Sequence, residues 1–177
     1  IYEEPSDSLH AVLYTLLRLQ SQPATHAVAQ QLLAEYRAEL TAEAQRYFTL
    51  VIDPSCGSVR RQLHLASARD GVKRQAAFYD SVIAWRTIGL AQQLGLTKPA
   101  DWPVAYHWLA DAAAWKAALQ RQYWDESRGI YANDLSCPLP QSTFSADSLI
   151  VWQTGFLDPR RAADRQQLER MVAYIQD

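Results

Sequence analysis

Asp80-Ser81-Val82-Ile83-Ala84-Trp85-Arg86-Thr87 and Asp147-Ser148-Leu149-Ile150-Val151-Trp152-Gln153-Thr154 share five of eight residues at an offset of 67. Both open on aspartate and serine, and both then turn apolar at helical spacing. Asp7-Ser8-Leu9 begins a third such stretch 73 residues before Asp80. A period of this length is the mark of a repeat architecture, in which one supersecondary unit recurs and buries its apolar face only against its neighbours.

The turns recur with the helices. Asp53-x-x-x-Gly57-Ser58-Val59 corresponds to Asp125-x-x-x-Gly129-Ile130 at an offset of 72, and each turn follows an aromatic pair, Tyr47-Phe48 or Tyr123-Trp124. Apolar periodicity predicts helices over residues 7–20, 24–48, 80–94, 104–123 and 147–156, and from Pro159 to the end. Residues 58–65 alternate and read as a short strand, and Ile130-Tyr131 reads as a short extended piece. The unit is therefore a helix opened by Asp-Ser, a second helix, a glycine turn, a short extended stretch and a loop. About two and a half units of roughly 70 residues fill the chain as one all-α domain over residues 1–177. The apolar Asp-Ser helices read as an inner layer, and the more charged helices over 24–48 and 104–123 as an outer one. In such an array Asp7, Asp80 and Asp147 point to one rim, beside the loops 53–79 and 125–146, where a repeat array usually carries its function.

Composition excludes several classes. The 177 residues are 49% hydrophobic and 20% charged, enough for a core. A net charge of −2 without basic runs gives no reason to expect nucleic acid, and no apolar run is long enough for a membrane span. His10, His26, His64 and His107 lack ligand spacing, so neither a metal nor a cofactor is expected. Cys56 and Cys137 read as free thiols of a reducing, cytoplasmic setting. The chain opens on Ile1 rather than Met, so the true N-terminus is not assumed. Six Trp and nine Tyr are many for this length; large rings fill helical cores, and they also stack on sugar faces.

The stretch Arg69-Asp70 through Tyr79-Asp80-Ser81-Val82-Ile83-Ala84-Trp85, together with Tyr123-Trp124-Asp125-Glu126-x-x-Gly129-x-Tyr131, resembles the six-hairpin glycosidases, (α/α)6 toroids of the glucoamylase, trehalase and debranching-enzyme type. The resemblance runs from about residue 7 to 160. It implies a glycoside hydrolase with a carbohydrate ligand and an inverting mechanism, one carboxylic acid protonating the leaving oxygen and a carboxylate activating water. By position Asp80 matches the acid, with Ser81 where the family often has Asn; the family's late Glu base has no match. A six-hairpin ring needs on the order of 400 residues at this period, so the chain supplies about half of one. Self-association, or the missing half of the toroid, is then the expected partner.

Each site residue has a plainer reading beside the functional one. Asp80 is the candidate catalytic acid and Asp147 a substrate contact, or both are helix N-caps, as Asp7 is taken to be. Arg69, Asp70, Lys73 and Arg74 bind sugar hydroxyls or form a solvated loop. Tyr79 and Trp124 stack on a ligand, whereas Trp85 and Trp152 read as core. The alternative function is a non-catalytic helical-repeat binding or assembly module.

Overall fold

The computed structural model describes residues 7–63 and 74–176. Seven α-helices dominate these residues: α1 (Ser8–Gln20), α2 (His26–Glu35), α3 (Arg37–Val51), α4 (Phe78–Gln93), α5 (Ala112–Tyr123), α6 (Ile150–Gln153) and α7 (Ala162–Gln176). The protein is all-α, with one two-stranded ribbon of β1 (Trp124–Asp125) and β2 (Ile130–Tyr131).

The central helix is α4, which packs against α1, α3, α5 and α6. Ten of its residues are buried, among them Asp80, Ser81 and Thr87. Around its first half lies a core of Phe48, Phe78, Ile83, Trp115, Tyr123, Tyr131 and Phe156. A second cluster of Leu13, Leu16, Leu33, Leu90 and Leu94 joins α1 and α2 to its C-terminal end. The β2 strand is covered by α7.

Two long helices expected from periodicity are divided. The segment over 24–48 breaks at Tyr36, without proline or glycine, into α2 and α3. The pattern continues across the break, but α2 packs on α1 while α3 packs on α4, so one straight rod could not serve both. The segment over 104–123 begins as a 3-10 turn, Val104–Ala110, and becomes α-helical only at Ala112. There Asp111 Oδ1 accepts from the backbone N–H of Ala113 (2.9 Å) and Ala114 (3.0 Å), a better helix start than Trp102-Pro103 supplies. The strand expected over 58–65 is reduced to a single bridge, Ile52 to Val59; residues 64–65 lie outside the described ones.

The glycine turn is duplicated bond for bond. In the first copy Ile52 bridges Val59, Asp53 N–H donates to Ser58 O (2.9 Å), Gly57 N–H to Asp53 O (2.8 Å) and Arg60 N–H to Val51 O (2.8 Å). In the second, 72 residues on, Trp124 pairs with Tyr131 and Asp125 with Ile130, Gly129 N–H donates to Asp125 O (2.8 Å) and Ala132 N–H to Tyr123 O (2.7 Å). Both aspartates accept from the serine two residues on, through its N–H at 2.9 Å and its hydroxyl at 2.6 Å. Both glycines have positive φ, +80° at Gly57 and +70° at Gly129, which only glycine adopts without strain.

Candidate functional site

The start of α4 is held in place by polar bonds to the chain on either side. Phe78 N–H donates to Asn133 O (3.0 Å) and Leu135 N–H to Gln75 O (2.9 Å), so the approach to α4 runs alongside the segment after β2. The Ser81 hydroxyl, fully buried, accepts from Val59 N–H (3.1 Å), donates to Ala77 O (3.0 Å) and lies 3.0 Å from the Tyr123 hydroxyl. The second residue of the Asp-Ser pair is thus a structural pin.

Asp80 is not an N-cap. The cap position is Ala77, and Asp80 is the third helical residue, 7% exposed. A first-turn carboxylate still gains from the helix dipole. Asp147 is not a cap either: it lies in the 3-10 turn Ala146–Leu149, whose cap is Ser145, with the Ser145 hydroxyl accepting from Asp147 N–H (3.2 Å). Asp7 does occupy the cap position of α1, but its side chain makes no capping bond.

What these aspartates share is Tyr79. Its phenol is half-buried and reaches Asp7 Oδ2 at 3.5 Å, the long end of hydrogen bonding. Burial first, and then the carboxylates of Asp7, Asp80 and Asp147, push its ionisation up to about 12. The phenol of Tyr47, buried below, is likewise pushed up, first by burial and then by Asp80 and Asp7. All three aspartates of the Asp-Ser starts thus act on Tyr79 electrostatically, and Asp7 also touches its phenol. A positive group closes the far side: Arg74 Nη1 donates to Asp147 Oδ2 at 3.1 Å, both side chains being largely buried. The Ser145 hydroxyl donates to the same oxygen at 3.1 Å.

Of the residues singled out from sequence, Arg74, Tyr79, Asp80 and Asp147 come together. Arg69, Asp70 and Lys73 lie outside the described residues. Trp124 belongs to another set of contacts. Its indole N–H donates to Glu126 (2.5 Å), and the Arg170 guanidinium of α7 lies over the ring, 5.4 Å from its centroid, while also bonding Glu126. Arg170 thus occupies one face of the ring. Trp85 is partly buried, donating to Ala112 O (3.1 Å), whereas its repeat counterpart Trp152, expected in the core, is 62% exposed. The chain turns away after α6 before anything covers it. Asp7, taken from sequence as a cap on the same rim, makes its side-chain contact with Tyr79 instead.

Cys56 and Cys137 are free thiols. Among the described residues no helix is long and apolar enough to cross a membrane. Comparison of the chain with models of known families, with curated proteins and with solved structures found no match.

Proposed function

We propose that the chain is part of a carbohydrate-active helical toroid whose sugar ligand meets the rim at Tyr79 and Asp80, and that, where the ring is complete, Asp80 acts as the acid of an inverting glycoside hydrolase. The observation that carries this reading is the placement of a buried carboxylate, Asp80, in the first turn of α4 next to Tyr79, whose phenol reaches a second carboxylate, Asp7, at 3.5 Å. Two carboxylates in different surroundings, Asp80 buried and Asp7 exposed, are what two-carboxylate hydrolysis requires, since one must hold a proton while another orients water. Tyr79, protonated to about pH 12, is a hydroxyl donor and a ring for a sugar face. Arg74, in its pair with Asp147, fixes the far edge.

The test is binding and turnover on a panel of α-glucosides and α-mannosides, read by NMR so that the anomer released is seen. Asp80→Asn is expected to abolish hydrolysis while leaving sugar-induced shifts at Tyr79. Full activity in that variant would remove Asp80 from the acid role, and a panel that leaves Tyr79 unperturbed would remove the rim from carbohydrate binding.

A second reading, an assembly module, is favoured by a different observation. An apolar groove of about 430 Å³ lined by Val12, Leu16, Leu32, Tyr36 and Leu40 lies between α1, α2 and α3, while Leu149 (42% exposed) and Trp152 (62%) stand free at α6. Exposed apolar surfaces at two sites mark contacts with further protein, here a second copy set end to end. Sedimentation velocity across a concentration series is expected to show a dimer or larger species, weakened by Trp152→Ser. A monomer throughout would rule out this arrangement.

A further inference from the structure

The second half of α4 carries a cleft that the rim does not use. The chain leaves α6 at Gln153, and Phe156 then packs edge-on against Trp85 of α4, ring centroids 5.3 Å apart, with Lys116 of α5 5.5 Å above it. Beyond Trp85, toward the end of α4, a cleft of about 230 Å³ opens between Trp85, Arg86, Gly89 and Gln92 of α4 and Leu109 and Trp115 near the start of α5. Gly89 lies nine residues past Asp80, about 13 Å along the helix at its ordinary rise.

Two features mark this cleft as more than a packing gap. Arg86 is half-buried, and among the described residues neither a hydrogen bond nor an ion pair holds its guanidinium. The neighbouring cation, Lys116, is taken by Asp164 at 2.7 Å. Gly89 is the second feature. Glycine is the poorest helix former short of proline, yet this one sits inside α4 without positive φ, and a Cβ added there would meet nothing within 4 Å. Neither backbone conformation nor packing calls for it; its effect is to keep the cleft open.

We infer that this cleft is a binding site for a small ring compound bearing a single carboxylate, held by a fork of hydrogen bonds from Arg86 with the ring against Trp85. A guanidinium matches a carboxylate bidentately. A single available cation suits one negative charge better than a phosphate dianion. Trp85, Ile88 and Leu109 give the cleft an apolar wall, and the Gln92 and Gln93 amides offer bonds to ring substituents. The volume lies below that of drug-sized pockets, so it fits one ring. Burial pulls the ionisation of Arg86 down, against a smaller upward pull from Tyr14, so a carboxylate beside it would restore what burial costs the cation. Burial, and next Arg86, also pull His10 of α1 below the ordinary histidine value, against a smaller upward pull from Asp7. The assignment stands independently of the rim reading.

The test titrates the full chain with sodium glucuronate, sodium benzoate, glucose and glucose 6-phosphate, following the Trp85 indole N–H and the His10 ring by NMR. A carboxylated ring is expected to bind with a dissociation constant on the order of 1 mM and glucose at least tenfold more weakly. The acid that binds should raise the His10 titration midpoint, because its carboxylate offsets the Arg86 charge. Glucuronate and benzoate separate an acidic sugar from an aromatic acid as the source of that chemistry. Arg86→Gln should abolish binding. So should Gly89→Leu, which fills the cleft while leaving Arg86 in place and melting at or above the wild-type temperature. Binding of glucose as tight as that of the acids, preference for glucose 6-phosphate, no response to either acid, or unchanged affinity in Gly89→Leu would each overturn the assignment.

Discussion

The two glycine turns, 52–60 and 124–132, share one backbone and differ in what surrounds it. In the first, the Asp53 carboxylate bonds, among the described residues, only the serine two residues on, and the tight contacts fall on the backbone of the turn: Trp115 Nε1 donates to Gly57 O at 2.7 Å, and Trp108 Nε1 donates to Pro54 O at 2.8 Å. In the second, the glycine faces only the Arg170 side chain, and the tight contacts fall on the aspartate. Asp125, 4% exposed, accepts from Ser127, from Arg128 N–H and from Arg128 Nε at 2.7 Å. That arginine in turn bonds Ser142 O (2.6 Å) and Leu139 O, fastening the loop that leads to Asp147. The same local sequence can be anchored through its glycine or through its acid, depending on which neighbour arrives.

The comparison can be broken at four positions. Gly57→Ala is expected to have the largest effect, a loss of about 3 kcal/mol by urea denaturation, because positive φ and a buried ring both oppose the new methyl. Its Cβ would lie 2.8 Å from Trp115 Cδ1 and Nε1. A loss below about 1 kcal/mol would mean that the indole gives way freely. Asp125→Ala should follow at about 2 kcal/mol, since it strips a half-buried arginine of its carboxylate. That effect carries a pH signature. The Ser127 hydroxyl first, and then Arg128, hold the Asp125 carboxyl at about 2, below its ordinary 3.8. A depressed carboxyl stabilises fully above its ordinary value and loses that contribution as pH falls toward 2. The gap between wild type and Asp125→Asn should therefore be constant near neutrality and narrow from about pH 4 downward; a gap that widens there would reverse the assignment. Gly129→Ala should lose about 1 kcal/mol, the backbone strain alone, because the 2.9 Å contact is with a flexible Arg170 chain. Asp53→Ala should be the mildest, about 0.5 kcal/mol. Equal losses at Gly57 and Gly129 would erase the distinction.

Legibility followed the range of the interactions. The Asp-x-x-x-Gly turn was readable because its bonds lie within a few residues, and the structure repeats that turn at the offset of 72. The inner placement of α4 was readable from Val82, Ile83 and Ile88, all buried. The break at Tyr36 was not, because it answers to two different partner helices. Trp152 followed the same apolar pattern as Trp85, but its cover depends on a chain that turns away after Thr154. Arg86 and Gly89 carry no signal of their own in the sequence, because the cleft they line is closed by Leu109, Ala112 and Trp115 from a distant stretch of chain. The rim was half readable: the repeat set Asp7, Asp80 and Asp147 at equivalent positions and Tyr79 stood out as a ring beside the loop, while the contact of Asp7 with the Tyr79 phenol emerged only from packing.

The duplicated turn also bears on the order in which the molecule assembles. Each ribbon closes over fewer than ten residues, so it can form on the 1–10 μs scale of an isolated hairpin, well before helices distant in sequence meet. Ser81 then bonds Val59 of the first ribbon and the Tyr123 hydroxyl that leads into the second. Docking of α4 would lock two ready-made pieces in one step, which makes Ser81 a natural position for a high φ-value in folding kinetics.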